Sequence, residues 1–165
     1  MRFLGKATGD LYIKGICGII FSEIYVEDCW HYSDTIYDTS TNPNISLVGL
    51  TDLEIEFQLL KSANNSIAYM ELGENSNNKY LVGLVGSQYY DLRVYNNGSI
   101  IWNNAKSGLP NGTYNAVFTK ESGVITWKCN NQTISTSDSS VNLNTIFNIS
   151  CSNSGKIGKI KVKPL

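Results

Sequence analysis

Three runs of residues have types and spacings that could support chemistry. Glu54-Ile55-Glu56-Phe57-Gln58 puts two carboxylates at alternate positions. Glycoside hydrolysis needs a carboxylate pair flanking the scissile bond, and alternate residues of a strand lie about 7 Å apart. Gln58 stands where a third acid would complete an alternating set, so the run is expected to be a solvated polar strand face. His31 is the sole histidine, two residues from Cys29. A Cys–His pair needs a third group to orient the imidazole, and no acid can be assigned to that role. Asp28, Asp34 and Asp38 offer oxygen ligands for calcium, but their spacing matches no calcium loop. The expectation is therefore a protein that is not an enzyme and needs no cofactor, with calcium as the alternative.

Recognition chemistry is better represented. Tyr89, Asp91, Arg93 and Tyr95 alternate with Tyr90, Leu92 and Val94. On a strand these sets face opposite ways, so the apolar set points to a core and the first set forms a polar-aromatic stripe outside it. Trp30, in Trp30-His31-Tyr32, and Trp102, beside Asn103-Asn104, are further aromatic platforms. An aromatic face stacks on the apolar face of a sugar ring, and short polar side chains satisfy its hydroxyls. The candidate ligand-binding residues are Tyr89, Asp91, Arg93, Tyr95, Trp30 and Trp102.

The elements that must position these residues are legible in the composition. The chain has 165 residues, of which 16% are charged and 42% hydrophobic. The charge deficit is filled by 19 Asn, 18 Ser and 11 Thr, beside 10 Tyr. Disorder needs low hydrophobicity with high net charge, and a helical bundle needs Ala, Leu, Glu and Lys; neither fits. The net charge of −1 supplies no basic surface for non-specific nucleic-acid binding. No stretch reaches the ~18 apolar residues that cross a membrane as a helix. Lys6, Asp10 and Lys14 interrupt any apolar run near the start, so no secretory leader is expected there. Action outside a cell would then need a removed leader, another export route or travel on a virion.

Leu53, Ile55, Phe57 and Leu59 alternate with Glu54, Glu56 and Gln58, the period of a half-buried strand. A helix would place Ile55 and Leu59 opposite Leu53 and Phe57. Similar runs follow at Ile67–Leu72, Tyr80–Val85, Tyr89–Tyr95, Ser99–Trp102, Tyr114–Thr119, Val124–Cys129, Ile146–Cys151 and Ile157–Val162. Between them stand Asn- and Gly-rich turns, with Asn97-Gly98 the strongest type I′ hairpin signal. Short strands with frequent turns read as an all-β sandwich or barrel. Residues 1–18, broken by Gly5, Gly9, Gly15 and Gly18, read as an arm or linker with room for a short strand at Leu11–Ile13. Residues 19–165 read as the sandwich domain.

Eight acids and no Lys or Arg lie between Glu23 and Glu56, whereas Lys156, Lys159, Lys161 and Lys163 crowd the last ten residues. The expectation is that the terminal strand lies beside the acidic third. Cys17, Cys29, Cys129 and Cys151 allow three pairings, but Cys129 and Cys151 share the phase of apolar neighbours and read as small buried hydrophobes. Asn44, Asn64, Asn97, Asn111, Asn131 and Asn148 begin glycosylation sequons, against about three that this composition gives by chance, and are weak evidence for glycosylation.

The closing half reads GTYNAVFTK, ESG, VITWKCNNQT, TIFNIS and GKIGKIKVKPL. This succession of strand, tight turn, strand, Asn-Asn turn, strand, Gly and final strand resembles the end of the concanavalin A-like, or laminin G-like, jelly-roll superfamily. The acidic alternation at Leu53–Leu60 and the opening FSEIYVEDCWHY resemble its early strands. The likeness covers roughly residues 19–165 and implies a two-sheet antiparallel jelly roll with the final strand near the first. It also implies carbohydrate binding or adhesion, as in lectin-like modules of phage and archaeal-virus tails and of microbial surfaces. The expected partner is a cell-surface glycan, with a homo-oligomer or virion neighbours as further partners and the cell surface or virion as location. A structural assembly subunit is the alternative, and a glycosidase ranks behind both.

Overall fold

The computed structural model describes residues 11–12, 19–21, 24–26, 31–43, 45, 47–85, 90–143 and 146–165. Its strands in chain order are β1 (Leu11–Tyr12), β2 (Ile19–Phe21), β3 (Ile24–Val26), β4 (His31–Tyr37), β5 (Leu53–Lys61), β6 (Ile67–Asn75) and β7 (Asn78–Leu84). They continue as β8 (Tyr90–Asn96), β9 (Ser99–Lys106), β10 (Gly112–Glu121), β11 (Val124–Cys129), β12 (Gln132–Ser137), β13 (Ile146–Ser152) and β14 (Lys156–Pro164). A seven-stranded sheet runs β1-β4-β14-β5-β10-β11-β12, and a five-stranded sheet runs β13-β6-β7-β8-β9. β2 and β3 form a separate hairpin. Every pairing is antiparallel. The chain is an all-β antiparallel sandwich of two main sheets, a jelly-roll architecture.

Alternation decides which side of each strand is dry. Leu53, Ile55, Phe57 and Leu59 of β5 point inward, as do Ile125, Trp127 and Cys129 of β11. They meet Ala68, Met70 and Leu72 of β6 and Tyr90, Leu92 and Val94 of β8 in one core. Phe57 and Trp127 stack at 5.4 Å between centroids. Ala116 sits opposite Phe57 on β10, and its methyl leaves room for that pair. Across the sandwich Tyr80 of β7 meets Phe118 of β10 at 5.8 Å. Such pairs contribute about 1 kcal/mol each beyond the area they bury.

β14 solves a phase problem. Ile157 and Ile160 are both buried though three residues apart, which strict alternation forbids. The ladders to β4 and β5 slip after Gly158, and Lys159 takes φ 53° there. This bulge keeps Ile160 and Val162 inward and turns Lys161 and Lys163 outward, opposite Glu56 and Glu54. The expected juxtaposition of the lysine-rich last strand with the acidic third follows. Asn97-Gly98 has φ of 50° and 76°, the positive pair a type I′ turn requires.

β12 is not among the strands expected from the sequence, because QTISTS offers one large apolar residue, Ile134, in six. Cys129 and Cys151 are unpaired and buried; Cys17, Cys29 and Asp28 lie outside the described residues.

Candidate functional site

The two outer faces of the sandwich carry different chemistry. On the seven-stranded sheet, Lys163 Nζ lies 2.9 Å from Glu54 Oε1 and 2.5 Å from Glu56 Oε1. Lys161 approaches Glu56 at 3.8 Å. Partial burial opposes ionisation of Glu56, but the Lys163 hydrogen bond and the two ammonium charges outweigh it and hold its carboxyl below the usual range. A general acid needs the opposite shift, so this pair is built for charge compensation. Elsewhere on β4, the Tyr32 hydroxyl donates to Asp34. Burial and then that carboxylate push the phenol up to about 12. Asp38 faces Lys156 at 3.7 Å.

The outer face of the five-stranded sheet holds the stripe. Tyr90, Leu92 and Val94 enter the core, so Asp91, Arg93 and Tyr95 project from the other side of β8. Strand register fixes their neighbours: Gly83, Leu81 and Lys79 of β7 lie opposite Asp91, Arg93 and Tyr95 in turn. Glu71 of β6 lies opposite Leu81, and Asn103 of β9 lies opposite Arg93.

These side chains lock one another. Arg93 Nε and Nη2 both lie 2.7 Å from Asp91 Oδ2. Partial burial opposes the guanidinium charge, but hydrogen bonds to Tyr95 and Asp91 outweigh it and raise its pKa. Lys79 Nζ lies 2.6 Å from Glu71 Oε1 and 5.5 Å from the Tyr95 ring centroid. The two cations and two carboxylates cancel, leaving a neutral patch of fixed donors and acceptors around a half-buried tyrosine.

Asp91 is 2% exposed, deeper than a surface stripe implies, because Arg93 folds over it. Its Oδ1 is buried with no hydrogen-bond partner. Trp102 does not join the patch. It pairs with Val94 on the core side of β9 and packs against the core edge. Its phase relative to Val94 shows only once β9 is laid beside β8. Tyr89 and Trp30 lie outside the described residues. The sequence reading missed Lys79, Glu71 and Asn103. The phase of β6 already turned Glu71 outward, but pairing order, absent from one sequence, makes these three neighbours of the stripe.

No protein-family model and no curated protein matches the sequence. Solved structures match the fold. A galectin of Caenorhabditis elegans superposes with a TM-score of 0.55 at 11% identity, covering 80% of this chain and 94% of the galectin. The binding domain of botulinum neurotoxin DC, in complex with rat synaptotagmin II, gives 0.53 at 10% identity over 92% of this chain. A botulinum neurotoxin type C structure, whose description ties cell entry to two ganglioside molecules, gives 0.52 at 11% identity over 91% of this chain. The chain spans about half the length of these neurotoxin structures, 48% in each case.

Proposed function

We propose that the protein is a non-catalytic carbohydrate-binding module that recognises glycan at a cell or virion surface through the outer face of its five-stranded sheet. The charge-cancelled cluster Asp91–Arg93–Tyr95–Lys79–Glu71 carries this reading. A neutral face with a tyrosine ring and fixed hydrogen-bonding groups suits uncharged, hydroxyl-bearing rings, which an excess of either charge would not favour. The similarity in fold to a jelly-roll lectin and to a neurotoxin described with gangliosides supports it. The Lys163-bound carboxylates argue against hydrolysis. The test is a glycan array probed with the whole chain: binding to at least one glycan is expected, and an array without binding would overturn the reading.

The edge of the same sheet favours a second reading, a subunit of a virion or surface assembly. Ile100 and Ile101 on edge strand β9 are 48% and 53% exposed, and an exposed apolar edge invites strand pairing with another chain. Light scattering behind a sizing column decides it: a concentration-dependent oligomer that Ile101→Lys dissolves supports assembly, and a monomer at all concentrations excludes self-assembly through β9.

A further inference from the structure

A second recessed site lies away from the sheet face, at one end of the sandwich. The loop before β5, the β10–β11 turn and the β12–β13 connection enclose a cleft of about 640 Å³. Its apolar side is Val48, 61% exposed, backed by the buried Leu50 and Leu143, and its polar side carries Asp52, Ser122 and Ser139. A neighbouring depression of about 450 Å³ shares Ser122 and Ser139 and adds Ser137 and Ser140, extending the hydroxyl lining.

Lys120, which also lines the cleft, is only 7% exposed. Its Nζ donates to Val141 O at 2.6 Å and lies 5.6 Å from the Tyr80 ring centroid. No other hydrogen bond from Nζ is found among the described residues, so two of its three N–H donors are unassigned. Burying an ammonium costs several kcal/mol unless its bonds are satisfied. Burial lowers its pKa, opposed by the Asp138, Asp52 and Glu74 charges. Asp138 accepts from Tyr80 at 2.7 Å, Glu74 from Asn142 at 2.6 Å, and Asp52 Oδ1 from the Ser122 amide at 2.7 Å. Three carboxylates around one ammonium disfavour an anionic guest. An apolar wall facing hydroxyls, a buried donor and a carboxylate suits a ring with one apolar face and many hydroxyls.

We propose that this rim cleft is a second ligand site, for a neutral saccharide, with Lys120 as donor, Asp52 as acceptor and the exposed Val48 as apolar wall. The site stands on the rim geometry and does not depend on the sheet-face reading. Two sites on one domain would let a single glycan chain or two branches bind with avidity.

The experiment titrates the ¹⁵N-labelled chain with neutral sugars (methyl glucoside, methyl galactoside, N-acetylglucosamine, lactose) and two acidic ones (N-acetylneuraminic and glucuronic acid). A neutral sugar should shift the Ser122, Gly123 and Asn142 amides, and the acidic sugars should bind more weakly. Ser139→Trp, at an exposed position on the mouth, should weaken that binding roughly tenfold or more, as should Lys120→Met where it folds. Tyr95→Ala should leave the rim shifts unchanged, which separates this site from the sheet face. No rim shift at the highest soluble concentrations, unweakened binding in Ser139→Trp, or wild-type affinity in folded Lys120→Met would each overturn the proposal.

Discussion

Arg93 holds Asp91 by a single oxygen: both Nε and Nη2 lie 2.7 Å from Oδ2, while Oδ1 is buried without a partner. The two residues are alternate positions of one strand, so β8 alone sets their geometry. The clamp keeps a charged carboxylate at the centre of a sheet face and fixes the guanidinium that would meet a ligand.

Truncating Arg93 strands that carboxylate. Arg93→Ala should destabilise the fold by about 2 kcal/mol, below the cost for a fully buried pair because the Arg93 side chain is 26% exposed. Asp91→Asn removes the buried charge itself and should cost less. Urea midpoints of the two variants check the order, and a smaller loss in Arg93→Ala than in Asp91→Asn would contradict it.

Gly83 faces this clamp from β7. Its φ is 142°, and a Cβ there would lie 2.3 Å from Ala68 O and 2.6 Å from Tyr69 Cα. Gly83→Ala must therefore push β6 from β7, at a cost of about 2 kcal/mol or more. Thermal unfolding measures it, and a melting temperature equal to wild type would show that the strands part freely.

Acid should loosen the outer face of the seven-stranded sheet. Partial burial disfavours the Glu56 carboxylate, but Lys163 and Lys161 outweigh that and set its folded pKa below the ordinary value. A group shifted this way stabilises the fold above its unfolded pKa, and the contribution is lost as pH falls through the folded one. Glu56→Gln should flatten stability against pH in that acid window and leave the slope near neutrality unchanged. Equal acid slopes in the two proteins would refute the coupling.

Burial pushes the Cys129 thiol up to about 12 and the Cys151 thiol up to about 11. A buried thiol with little thiolate reacts slowly. Iodoacetamide at pH 8 should spare both cysteines in the native chain and modify both in urea, as peptide mass mapping would show. Labelling of native Cys129 at the unfolded rate would contradict the packing around Trp127.

Much of the fold was readable because period-2 alternation marks a half-buried strand directly. β5 shows it along its whole length, and the phase of Tyr90, Leu92 and Val94 in the sequence alone turns Asp91, Arg93 and Tyr95 outward. Two things escaped. Thr and Ser dominate β12, so its alternation lacks contrast. The rest of the site is non-local: Lys79 and Asn103 adjoin the stripe through strand register, and Trp102 leaves it through the same register. The rim cleft was equally hidden, since Lys120 reads as one more polar position and is buried only when the 138–143 segment closes over it.

The central claim, that the sheet face around Arg93 and Tyr95 binds glycan, is tested most directly by isothermal titration of one array-positive glycan into the wild-type chain and Tyr95→Ala. Tyr95 is half-buried and holds Arg93 and Lys79, so the variant should melt somewhat below wild type but remain folded at the titration temperature. Its affinity should fall about tenfold or more through loss of the stacking ring. Unchanged affinity in a folded Tyr95→Ala chain would place recognition elsewhere and contradict the account.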